Sequence, residues 1–169
     1  DDNLQTKNDQ KDAVVIARLM RDGRLSYPRI LVNALQNRII RWIDRFFPEY
    51  TQVFKNFGKM AYAVLEMTPL PSDIIGKAPE ELLFLYRQVD GLKSPQLPKA
   101  KQLIEVAKDS IGLTEGVWMA KFEIATLLSQ YKLMQAQLDE LSAYLQELAE
   151  QMPEYNYLAS VPGIGATTI

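Results

Sequence analysis

From Leu113 to Met152 an apolar residue recurs at alternating spacings of four and three, without a gap. This is a heptad seam, with Val117, Ile124, Tyr131, Leu138 and Leu145 at a and Ala120, Leu127, Met134, Leu141 and Leu148 at d. Thr114 is placed to cap the start of this helix, Glu115 lies just inside, and Pro153 stops it. At about 1.5 Å per residue the helix would be roughly 55–60 Å long. Its first half also carries Trp118, Phe122 and Leu128 off the seam, which predicts packing on two sides by the helices that precede it. Its second half is apolar mostly on the seam and predicts one partner helix or one partner subunit. Of the flanking e and g positions, Lys121 and Glu123 are charged, whereas Gln130, Gln135, Gln137 and Ser142 are not, so charge pairing says little about partner choice.

The same periodicity predicts shorter helices upstream. Residues 9–22 carry Ala13, Ile16, Ala17, Leu19 and Met20 on one side, with Gly23 at the C-terminal cap and Ser26, Tyr27 and Pro28 as the stop. Residues 32–47 carry Leu35, Ile39, Trp42 and Phe46 on one face, widened by Ile43, and end at Pro48. Three more helices are expected: one through residues 59–67, one opening at Pro79 with Glu80 and Glu81 in its first turn, and one opening near Pro98. No sustained alternation of apolar and polar residues appears, so the expected class is all-α: short helices plus one long heptad helix. Residues 35–47 running antiparallel can close the seam within the chain, but that helix is too short to cover all of it. The second half of Leu113–Met152 is therefore expected to face another subunit.

Composition narrows the chemistry. The chain has 169 residues, no cysteine and no histidine. Disulfides, thiolate or imidazole metal sites, and Ser-His or Cys-His nucleophiles are excluded within it. No apolar run reaches the ~18 residues of a membrane span. Residues 1–59 hold 11 Lys/Arg against 7 Asp/Glu, and residues 60–169 hold 8 against 14. A basic first third suits an anionic partner; chance clustering on solvated helix faces is the plainer explanation.

Three features can carry function. Asp9 and Asp12, at i and i+3, share a face at a helix start. Two such carboxylates can hold a hard cation such as Mg²⁺, or they can simply cap the helix. Arg38, Arg41 and Arg45 form a stripe that can follow a phosphate backbone or be a solvated face. Val161-Pro162-Gly163-Ile164-Gly165 matches the turn of a helix-hairpin-helix module, whose glycines bring backbone N–H groups up to a phosphate; an ordinary Pro-Gly turn is the alternative.

Residues 6–24, TKNDQKDAVVIARLMRDGR, resemble the end of the RuvC-like domain of DEDD transposases, insertion-element recombinases often called the IS one-ten family. Residues 37–50, NRIIRWIDRFFPEY, are similar to the next block of those proteins. Residues 158–168, LASVPGIGATT, resemble the start of their second, helix-hairpin-helix-like catalytic domain. The three blocks occur in order across essentially the whole chain. The stretch around Arg29 to Gln36 is shorter than its counterpart in the family, so this member is shortened or residues are missing near Leu31 and Val32.

The resemblance implies that Asp9 and Asp12 are the last two acids of a four-carboxylate Mg²⁺ site. The first two would lie upstream and the serine nucleophile downstream, so Ser160 does not inherit that role. It further implies DNA transposition by Mg²⁺-dependent strand cleavage and rejoining, guidance by an RNA encoded by the element, and assembly as dimers or tetramers. The expected organisation is residues 1–31 as the end of the RuvC-like domain, 32–152 as a helical coiled-coil dimerisation region, and 153–169 as the opening of the second domain. The chain then reads as a fragment of a longer bacterial or archaeal protein, cytoplasmic and nucleoid-associated, with Gly163, Gly165 and the arginine stripe on DNA and a homodimer through Leu113–Met152. The alternative is a non-catalytic coiled-coil assembly module.

Overall fold

A computed structural model describes residues 26–92 and 94–151. Among the described residues seven helices run in order: α1 (Ser26–Phe46), α2 (Tyr50–Val53), α3 (Lys59–Met67), α4 (Pro71–Ile74), α5 (Pro79–Tyr86), α6 (Leu97–Lys108) and α7 (Val117–Glu150). Among the described residues there is no strand, and the fold is all-α as the periodicity predicts. The expected helix over 9–22 lies outside the described residues.

Two boundaries differ from expectation. Ser26, Tyr27 and Pro28 form the first turn of α1, which starts ahead of the expected residue 32 and runs unbroken through Leu31 and Val32. Pro28 sits in the first turn, where a missing N–H has no intrahelical partner to lose. At the other end of the chain, Thr114 does not cap the long helix. Gly116 takes a left-handed φ of 67° and α7 opens one residue later, at Val117. The short helices α2 and α4, of four residues each, carry too little periodicity to be read from sequence.

Two units are distinguished: Ala34–Tyr131, and a second whose described parts are residues 26–33 and 132–151. The first holds α2 to α6, the C-terminal part of α1 and the N-terminal part of α7. Its core is one continuous cluster. Ile39, Trp42 and Ile43 of α1 are buried, followed by Phe47, Tyr50 and Phe54, then Ala63 and Val64 of α3, Leu82 and Tyr86 of α5, Leu103 of α6, and Ile124 and Leu127 of α7. Each large side chain fully withdrawn from water contributes about 1.5–3 kcal/mol. An aromatic file runs through this cluster, with ring centroids 5.0 Å apart for Trp42 and Phe46, 5.8 Å for Phe47 and Tyr50, and 4.9 Å for Tyr50 and Phe54. Two sets of polar groups buried with it are paired, while the Tyr62 hydroxyl is buried without a hydrogen-bond partner among the described residues. The Tyr50 hydroxyl donates to the Ala61 carbonyl, and the Thr68 and Tyr86 hydroxyls lie 2.7 Å apart.

The short helices are held at their starts by acids. Asp73 reaches back to the Leu70 N–H at 3.1 Å, and Glu81 to the Ala78 N–H at 3.2 Å. Each satisfies a donor that the first helical turn leaves open. Pro71 and Pro79 take the first helical position, where their fixed φ favours the helix.

In the second unit the seam residues Met134, Leu138, Leu141 and Leu148 are half-buried, while Leu133 and Tyr144 off the seam are exposed. The helix there has the one-sided character expected of its sequence.

Candidate functional site

Within the unit Ala34–Tyr131, α1 and the first turns of α7 run antiparallel. Three contacts fix the register. The Leu113 N–H donates to the Arg45 carbonyl at 2.8 Å, the Trp42 indole N–H to the Ala120 carbonyl at 3.0 Å, and Arg45 Nη2 to both carboxylate oxygens of Glu123 at 2.9 Å each. Ala120 is the small residue of the seam, and its size lets α1 approach closely enough for Trp42 to reach the backbone. The seam residues Ala120, Ile124, Leu127 and, in part, Tyr131 are covered by the chain's own core. Intramolecular closure of the seam from Ala120 to Leu127 is therefore the arrangement found, while Leu113 and Val117 ahead of it stay exposed.

The charges flanking the seam also close on the chain itself. Lys121, at e, pairs with Asp73 of α4, and Glu123, at g, with Arg45 of α1. Both pairs are partly exposed, and each contributes about 0.2–1 kcal/mol at most. They select this packing more than they strengthen it.

Beside the Arg45–Glu123 pair lies an open cleft of about 450 Å³. Arg38, Arg45 and Phe46 form its α1 side. Glu115, Gly116, Met119, Phe122, Glu123 and Thr126 are among the residues of its other side. The expectation that the small helices pack the off-seam residues holds for Leu128, which is buried, and fails for Trp118 and Phe122. These are 73% and 58% exposed, and their rings stack on each other with centroids 5.8 Å apart and planes 10° from parallel. Met119 is 58% exposed beside them. The reason is rotational: 118, 119 and 122 are the b, c and f positions of the heptad, on the side turned away from the seam. Sequence reasoning read these residues as a second core face. Large apolar side chains at b, c and f also fit an exposed apolar patch, as found here.

The arginine stripe is divided by its surroundings. Arg45 is engaged by Glu123 and lies over the Phe46 ring, 5.2 Å from its centroid. Arg38 lines the cleft and is exposed, as is Arg41. Asp9, Asp12, Gly163 and Gly165 lie outside the described residues. Among the described residues no group of three or more acids is arranged to hold a metal ion. Mg²⁺ enters only through the resemblance. No helix among the described residues is long and apolar enough to cross a membrane.

A second anchor lies at the far end of the α1–α7 contact. Glu49 accepts hydrogen bonds from Ser110 Oγ at 2.6 Å and from the Ile111 N–H at 3.1 Å. Burial pushes its carboxyl up, but these two donors outweigh burial and hold it below the ordinary value of 4.5. Together with the Leu113–Arg45 bond, they pin the loop between α6 and α7 to the end of α1 and so set where α7 starts.

Comparison with known proteins returned no matching family model, no similar curated protein and no similar solved structure.

Proposed function

We propose that this chain belongs to a DNA transposase of the insertion-element, DEDD type. In this reading Asp9 and Asp12 supply two of the carboxylates of a Mg²⁺ site for strand cleavage and rejoining, and the helices over 26–151 join that domain to a DNA-binding one. The observation that carries the reading is the order of three sequence blocks, residues 6–24, 37–50 and 158–168, with a long helix between the second and third. A metal held by these acids would polarise a phosphodiester and supply a bound hydroxide. Arg38, Arg41, Gly163 and Gly165 belong to the DNA contacts in this reading, and Arg45, tied to Glu123, contributes to the helix packing first. A guide RNA encoded by the element and residence at the bacterial or archaeal nucleoid follow from the same resemblance.

The test is Mg²⁺-dependent strand cleavage and transposition by the transposase containing this chain. Asp9→Asn and Asp12→Asn should each lower cleavage by about 100-fold or more with unchanged folding. Wild-type transposition by Asp12→Asn would reject the proposal and leave the second reading, a non-catalytic assembly module in which both acids act only as helix caps worth about 1 kcal/mol.

A further inference from the structure

We draw no further inference here: the strongest candidate, the exposed apolar patch of Trp118, Met119 and Phe122 on the outer side of α7, is an unpartnered helix face, and nothing in the structure shows what covers it.

Discussion

The indole N–H of Trp42 donates to the main-chain carbonyl of Ala120, 3.0 Å away and 78 residues along the chain. One side chain thus joins α1 to α7. It does so at the single alanine that flattens the surface of α7 where the two helices cross.

Replacing Trp42 separates the parts of that contact. Trp42→Phe keeps a ring in the core and removes the donor, and should cost about 1–2 kcal/mol. Trp42→Ala leaves a cavity beside Phe46 and Ala120 and should cost about 3–5 kcal/mol. Urea unfolding of the two variants checks the order; equal losses would show that the hydrogen bond contributes nothing beyond volume.

Gly112 lies against the end of α1 so closely that a Cβ would stand 2.1 Å from the Phe46 carbonyl oxygen. Backbone cannot move aside as a flexible side chain does. Gly112→Ala should therefore destabilise the fold by about 2 kcal/mol or more and loosen the start of α7. Gly58, with nothing within 4 Å of an added Cβ, is the control; Gly58→Ala, at the N-cap of α3, should cost no more than about 1 kcal/mol. Thermal melts of both variants, with exchange of the Leu113 amide as a local probe, measure the difference.

Glu49 makes the same junction sensitive to acid. Its carboxyl is held below 4.5 in the folded chain by Ser110 and Ile111, so the unfolded chain binds the proton more readily. The stability this supplies is present in full above the unfolded value and is lost as the pH falls through the lower, folded value. Denaturant midpoints followed from about pH 6 down to about pH 3 should fall less steeply in Glu49→Gln than in the wild type. The Gln variant should also be the less stable of the two at neutral pH. Parallel profiles would mean that Glu49 contributes nothing to the junction.

Much of this was legible in the sequence. Lys59–Met67 is found as the periodicity predicts, and the starts at Pro79 and near Pro98 are found within a residue. Proline at the first helical position and acids in the first turn are local signals with local causes. The antiparallel closure of the seam by the helix around Trp42 was legible as one of two possibilities, because length alone showed that this helix could cover only part of it. The start of α1 at Ser26 was missed because Pro28 was read as a stop for the preceding segment, whereas proline also fits the first turn of a helix.

The amino-acid sequence by itself determined that the chain is helical and which stripe of each helix is apolar, since these depend on spacing within a few turns. Only the tertiary structure decided which stripe meets which. Trp118, Phe122 and Leu128 are equally apolar, yet Leu128 is buried and the other two are exposed. That outcome depends on the rotation of α7 about its axis, which is set from far away by Trp42 on Ala120, Arg45 on Glu123 and Asp73 on Lys121. Long-range contacts of this kind leave no local periodicity to read.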